Sequence, residues 1–232
     1  MGQVDWAGEW DHGVRTHDQE ERRMRADAQR NAEKLRTAAA ELFRERGLQA
    51  PLKEIARRAG VSHGTLYNLF GTREALIDEV VADLAAARLD EAAEQALARE
   101  DAWEGFAYYI ETLCELQATD PAIGDVVAGR YPGAERLMTV CARSYASTAR
   151  IIERAQQAGA LRPDFTREDL LFIFGTNALL ARAAKDTAPD AWRRSVAFML
   201  DGLRTEAAHP LPTGPLTSQQ MYQVMGNLTG TP

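Results

Sequence analysis

The residues best placed to do chemistry lie between Leu52 and Phe70, where Ala56, Gly60 and Ser62 are followed closely by Thr65, Tyr67 and Asn68. Two helices that cross steeply through a three-residue turn need a small residue at their closest approach, and Ala56 supplies it. They need a turn residue that accepts positive φ, and Gly60 does so without a Cβ clash. They need an acceptor for the free N–H groups that open the second helix, which the Ser62 hydroxyl can provide. Ile55, Ala59, Val61, Leu66 and Leu69 then fall on the inner face of the pair. Ser62, His63, Gly64, Thr65, Tyr67 and Asn68 are left facing outward, a set of donors and acceptors without a nucleophile's partners. A generic helical hairpin explains the apolar positions; it does not explain the glycine, the small residue four before it and the outward polar set together. The spacing points to a helix-turn-helix that offers a short helix to double-stranded DNA.

Charge distribution agrees. From Arg22 to Arg73 there are 12 Lys and Arg against 5 Asp and Glu, a surplus of +7, while the whole chain is −7, so the rest carries −14. A basic module on an acidic body suits a protein that meets phosphate with one end only. Arg30 and Lys34 are candidate phosphate contacts. The run Arg22, Arg23, Arg25 and Arg30 is either a basic arm on DNA or a solvated helix start. Asn68 is the best candidate for a base edge, because its amide can pair bidentately with adenine; the alternative is plain solvation. Tyr67 either reaches a phosphate or packs on the preceding helix. Arg57 and Arg58 face solvent or phosphate rather than a base.

Other chemistry finds little support. No Ser/His/Asp set, Gly-rich phosphate loop or histidine–carboxylate cluster occurs, so an enzyme is not expected. The four histidines are scattered and Cys114 and Cys141 have no metal-like spacing; both read as buried free thiols, and neither a metal nor a cofactor is expected. No apolar run approaches the ~20 residues that span a bilayer, and the polar, acidic start has no signal-like stretch, so a cytoplasmic location is expected.

The chain's 45% apolar and 26% charged residues are ordinary globular values. Residues 1–21 read as a mobile tail. From Asn31 the stripe Leu35, Ala38, Ala39, Leu42 and Phe43 predicts a helix that stops at Gly47. A second helix is predicted from Pro51 to about Arg58, and a third, short one from Ser62 or Gly64 to Leu69. Thr72 can cap a long helix through Leu76, Val80, Leu84, Leu89 and Ala93. Further amphipathic helices are expected at Trp103–Ala118, Pro121–Ala128, Ala134–Ala158, Arg167–Lys185 and Pro189–Ala208. The end from residue 209 reads as disordered, with a weak apolar patch around Met221–Met225. No segment reads as a strand. The fold expected is all-α: a helix-turn-helix domain over 22–75 joined to a larger helical domain over 76–208.

The quoted residues also resemble a known family. Ile55-Ala56, Ala59-Gly60-Val61-Ser62, Gly64-Thr65-Leu66-Tyr67 and Phe70, followed by Arg73-Glu74-Ala75-Leu76, are similar to the signature of the TetR (tetracycline-repressor-like) transcriptional regulators over about residues 31–80. The resemblance implies that Ser62, His63, Gly64, Thr65 and Asn68 face the major groove. It implies that Tyr67 sets its hydroxyl on a phosphate and that Arg73, in place of the family's usual lysine, does the same with its charge. His63 stands where lysine is common, and Leu69 where histidine or an aromatic is frequent.

The larger half carries Trp103, Phe106, Tyr109, Leu113, Met138, Tyr145, Phe172, Phe174 and Trp192, plain core by default. A subset can line a pocket between helices for a small-molecule effector. The candidates are Phe106, Tyr109, Thr112, Met138, Arg143, Tyr145, Phe174 and Asn177, with Arg130 as a further polar anchor. Arg143 implies either an anionic ligand or an internal partner such as Glu111 or Glu115. Small and large apolar residues alternate on the last two predicted helices: Gly175, Ala178, Leu179 and Ala181 on one, Val196, Met199, Leu200 and Leu203 on the other. They suit either packing within the chain or a homodimeric four-helix bundle, and the dimer is preferred because two half-sites solve the specificity problem of one short helix. The function expected is a repressor that binds a palindromic operator as a dimer and is released by an effector that shifts the long helix starting at Arg73. The competing reading is a helical ligand-binding or scaffold dimer without specific DNA recognition.

Overall fold

The computed structural model describes residues 8–131 and 133–229, with side chains described for residues 19–20, 22–131 and 133–227. Ten α-helices follow one another: α1 (Gly8–Arg46), α2 (Leu52–Ala59), α3 (His63–Phe70), α4 (Arg73–Ala98), α5 (Ala102–Thr119), α6 (Pro121–Val127), α7 (Glu135–Gln157), α8 (Leu170–Ala184), α9 (Ala191–Leu203) and α10 (Ser218–Thr229). Among the described residues there is no strand, only an isolated bridge between Leu161 and Arg204.

Local chemistry sets the boundaries. Leu35, Ala38, Ala39, Leu42 and Phe43 are all buried, so the predicted stripe of α1 is its packed face. The helix ends at Gly47, whose φ of 80° lets its N–H close on the Phe43 carbonyl. Thr72 caps α4 by accepting from Ala75 N–H, Asp101 caps α5 through Glu104 N–H, and Asp120 caps α6 through Ala122 and Ile123 N–H. The opening of α7 is capped from another helix: Asp78 on α4 accepts from the N–H groups of Arg136 and Leu137.

The arrangement is a small head of α1–α3 and a body in which α4 packs along α7 and α5, and α5 in turn along α8 and α9. Inside the body, fully buried Asn177 donates to the Cys114 carbonyl and to Gln117 Oε1, and Gln117 donates to the Phe174 carbonyl. That short polar chain fixes α8 against α5 in one register, since any slip would leave buried amides unpaired.

Head and body meet along α1, which packs on α4 and α6, and most directionally at one corner. Asp125 on α6 accepts from Leu48 N–H at 2.8 Å, and Arg130 approaches its other oxygen at 3.4 Å. The Asp125 carboxylate fills the space where a side chain on Gly47 would sit, so this glycine is needed for contact as well as for φ. From α4, Arg73 donates to the Leu48 and Ala50 carbonyls at 2.9 and 2.7 Å. The α1–α2 corner is thus held from two sides by body residues.

Both ends differ from expectation. The predicted mobile tail 1–21 is helical from Gly8 onward, because α1 continues upstream of Asn31; the earlier part lies outside the described residues. The predicted disordered end contains α10, capped by Thr217 and Gln220, which exchange hydrogen bonds between side chain and backbone N–H. It buries Met221 against the body. Helix α9 is shorter than predicted, ending at Leu203, where the chain turns into the bridge with Leu161.

Burial raises the Asp125 carboxyl above its ordinary range, against the opposing pull of Leu48 N–H and Arg182. The native chain therefore holds this proton more tightly than the unfolded one. The resulting penalty grows as pH rises from the ordinary aspartate value through the native one, and is complete at higher pH. Asp125→Asn keeps an acceptor for Leu48 without the charge and should stay within ~1 kcal/mol of the parent at neutral pH. Asp125→Ala strands a buried N–H and should lose ~1–3 kcal/mol in denaturant unfolding.

Candidate DNA interface and ligand pocket

The head is built around Leu66, fully buried between α1 and α2 with Ile55 and Ala56. Gly60 (φ 68°, ψ 32°) ends α2 in a left-handed turn: its own N–H reaches the Arg57 carbonyl, and that of Val61 reaches Ala56. Ser62 then opens α3, its hydroxyl accepting from Thr65 N–H at 3.0 Å and lying 2.8 Å from the Thr65 hydroxyl. Gly71 closes α3 on the Tyr67 carbonyl. With both ends pinned, eight residues stay helical at a length that would not hold in isolation.

The outward face follows from helical spacing. His63, Gly64, Tyr67 and Asn68 sit at i, i+1, i+4 and i+5, and all four are exposed, while Leu66, Leu69 and Phe70 turn inward. Tyr67 is 44% exposed, and its ring meets His63 edge-on at 4.8 Å. The Thr65 hydroxyl is half-buried and engaged with Ser62, so the Ser62–Thr65 pair shapes the helix end. Arg30 and Lys34 lie exposed on α1, Arg30 in an ion pair with Asp27 one turn back. Arg73 is the one predicted DNA contact whose charge is turned inward, onto the backbone of the α1–α2 corner.

Several of the head's cations face carboxylates. Arg58 pairs with Glu45 at 2.7 Å and lowers that carboxyl's pKa, while Arg46 pairs with Glu54 at 2.7 Å and Arg36 with Glu79 at 2.9 Å. Lys34, Arg44 and Lys53 are exposed.

In the body, a cleft opens between α5, α7, α8 and the α6–α7 loop, holding about 980 Å³ of empty space with its mouth included. Leu89, Leu113, Leu170 and Phe174 form apolar walls; Val126 to Tyr131 form one rim and Met221 and Met225 of α10 another. Its polar side carries Tyr109, Tyr131, Cys141, Tyr145 and Thr148. Tyr109 and Thr148 hydroxyls lie 2.6 Å apart, and Thr148 donates to the Ser144 carbonyl. Burial pushes all three phenols and the Cys141 thiol up, so these groups are neutral near pH 7. The cationic groups are Arg130 and Arg167, the latter lying over the Tyr145 ring with its Nε buried and unpartnered.

Three of the eight predicted pocket residues, Tyr109, Tyr145 and Phe174, line this cleft, as does Arg130. The others are placed elsewhere. Phe106 is core, stacked between Trp103 and Phe165. Asn177 commits its Nδ2 to the α5–α8 polar chain, while its buried Oδ1 has no partner. Thr112 is half-buried away from the cleft, and Met138 is 49% exposed on the outer side of α7. Arg143 points outward too, pairing with Asp90 on α4 at 2.6 Å rather than with Glu111 or Glu115. Tyr131, Cys141, Arg167, Met221 and Met225 were missed as pocket residues, and only the apolar patch at Met221–Met225 left a trace in the sequence.

A helix-turn-helix head on a helical body with an amphiphilic cleft defines a one-component regulator that reads DNA and senses a small molecule. Comparison with known proteins agrees. Residues 35–80 match the family described as "Bacterial regulatory proteins, tetR family", and residues 100–205 match "Transcriptional regulator SbtR-like, C-terminal domain". The chain belongs to the TetR family of transcriptional regulators. A TetR transcription regulatory protein from Mycobacterium vanbaalenii is 30% identical over 78% of this chain and 99% of its own, with a TM-score of 0.40. FadR from Bacillus subtilis, solved with stearoyl-CoA, shares the fold at 20% identity and a TM-score of 0.54, over 77% of this chain and all of its own (100%). RolR, solved with resorcinol, does so at 22% and 0.51, over 81% and 98%. No match is found among curated proteins.

Two substitutions separate structural from DNA-facing roles. Nothing lies within 4 Å of a side chain added at Gly60, so Gly60→Ala should cost only its left-handed backbone, ~1–2 kcal/mol of stability. Arg73→Met should lower the melting temperature while leaving the salt dependence of DNA binding unchanged, because its charge is already bound to carbonyls.

Proposed function

We propose that the protein is a repressor that binds a palindromic operator as a homodimer and leaves it when a small amphiphilic effector fills the cleft. The observation that carries this reading is the placement of α6: its last turn and the following loop line the cleft, while Asp125 on the same helix holds the head at Leu48. An effector that prefers a shifted α6 also prefers a shifted head, and that differential preference is what moves the equilibrium. The domains expected from sequence, 22–75 and 76–208, meet at this joint, with α1 extending further upstream and α10 further downstream.

In this reading His63, Gly64 and Asn68 approach base edges, Ser62 and Thr65 hold the helix end against the groove, and Tyr67, Arg30 and Lys34 contact phosphate. The effector contacts Tyr109, Tyr145 and Phe174 together with Tyr131 and Arg167. A polar wall of neutral O–H groups with two arginines fits an apolar body bearing oxygen acceptors. FadR and RolR hold ligands as unlike as stearoyl-CoA and resorcinol, so pocket chemistry rather than fold selects the effector. The protein catalyses no reaction of its own and acts in the cytoplasm, where its DNA is.

Dimerisation through α8 and α9 is supported by Phe172, Leu179 and Phe198, exposed by 55%, 50% and 62%. Val196 and Leu200, also expected at that interface, are buried within the chain, and Gly175, Ala178 and Leu179 border the cleft.

Selection from a random duplex pool should return an inverted repeat. Asn68→Ala should lose ~1–3 kcal/mol at one base pair of each half-site, whereas Tyr67→Phe should weaken all sequences alike. Absence of any salt-sensitive duplex binding would overturn the reading. Independently, Phe198→Glu should convert a sedimenting dimer to monomer and reduce operator affinity by at least ~10-fold, since only paired heads span two half-sites.

A further inference from the structure

Helix α10 lies beyond residue 205, where the match to the C-terminal family domain stops, yet two of its side chains line the cleft. Met221 and Met225, one turn apart, form its inner edge. Met221 is 5% exposed, and the Met225 thioether methyl occupies the space where a side chain on Gly129 would be. Tyr222, Gln223 and Val224 on the other side are exposed. The edge of the helix that faces the cleft is thus made of methionine.

Its attachment is spare. Arg162 holds the His209 carbonyl at 2.8 Å, and the chain then runs without regular structure through Pro210, Pro212 and Pro215 to Thr217. At its start, Ser218 donates to Glu168 at 2.8 Å. Burial works to raise Glu168, but the Ser218 and backbone hydrogen bonds and neighbouring Arg167 outweigh it and hold the carboxylate ionised. Arg167, also bound to Glu168 at 3.2 Å, is itself part of the cleft wall.

We propose that α10 is a lid on the cleft, and that Met221 and Met225 contact the effector and limit which apolar bodies fit. The inference rests on the reading of the cleft as the effector pocket. A helix of 12 residues is marginal alone, so its order depends on what its methionine edge can bury. An apolar ligand extends that surface and tightens the lid; methionine, unbranched and polarizable, adapts to its outline. Entry and exit require the edge to lift, hinged between the His209 and Ser218 anchors.

The test uses full-length protein and 8-anilinonaphthalene-1-sulfonate, an apolar aromatic anion, with stopped-flow fluorescence. Replacing both methionines, Met221→Ala with Met225→Ala, should raise the probe's association and dissociation rates together, by roughly threefold or more, as expected of an opened gate. In the parent protein, saturating probe should slow hydrogen exchange at amides 218–226. Rates equal to the parent's, or exchange unchanged at saturation, would overturn the lid. Ala178→Trp, which fills the cleft from α8, should abolish probe binding with the α10 sequence unchanged. Persistent binding in that variant would instead overturn the pocket reading, and the lid with it.

Discussion

The contact between the Asp125 carboxylate and the Leu48 amide is the constraint on which the rest of this molecule depends. A reading head of about fifty residues has too little apolar surface to be rigid by itself. It gains definition by leaning on the body along α1, most directionally at the corner between α1 and α2. A carboxylate half-buried there is a costly choice, and its raised pKa records that cost. What it provides is directional: one oxygen on one N–H, seated against a glycine that could not be replaced without displacing it. An apolar contact of equal area would slide. Arg73 braces the same corner from α4, so the two body helices closest to the head meet it within three residues of each other, at Leu48 and Ala50.

The body has the complementary problem of staying fixed while enclosing a cleft. Its solution is to separate the two tasks between faces of the same helices. On α5 and α8, Asn177, Gln117 and the Cys114 carbonyl lock the register from within. A turn away, Tyr109 and Phe174 are free to border the cavity. The polar groups there are neutral hydroxyls and a thiol, with Arg130 on the rim and Arg167 in the wall itself, over the Tyr145 ring. Such a wall discriminates by where acceptors fall on an apolar ligand rather than by net charge.

The head was legible in sequence because each of its features answers a local demand. Gly60 must be left-handed, Ala56 small, Ser62 a cap, and the outward residues are simply those that remain. The pocket was much less legible, for a physical reason. Helical periodicity tells which residues share a face but not which neighbour that face meets. Arg143 and Tyr145 both lie on α7, yet one reaches outward to Asp90 and the other inward to the cleft. Phe106 and Tyr109 are one turn apart on α5 and part company in the same way. Helix α10 was the hardest case: its amphipathic signal is two methionines, which become an apolar edge only once a cleft exists to receive them. Arg73 shows the converse hazard, since a cation at the expected place for phosphate contact has found carbonyls nearer at hand.

Charge raises one more point about how the head recognises its target. The surplus of +7 over Arg22–Arg73 already sets Glu45 and Glu54 against Arg58 and Arg46, while Glu79, outside that stretch, faces Arg36 and offsets one charge more. Exposed pairs of this kind contribute about 0–1 kcal/mol, so phosphates can compete for these arginines, but each exchange leaves a glutamate near the backbone of DNA. The net attraction gained is correspondingly small. In the proposed dimer, fit adds to that charge: the short helix in the groove, and the distance between two such helices. Spacing then becomes the quantity that matters most. On the proposed mechanism, a displacement carried from Asp125 to Leu48 acts as the switch by changing that spacing.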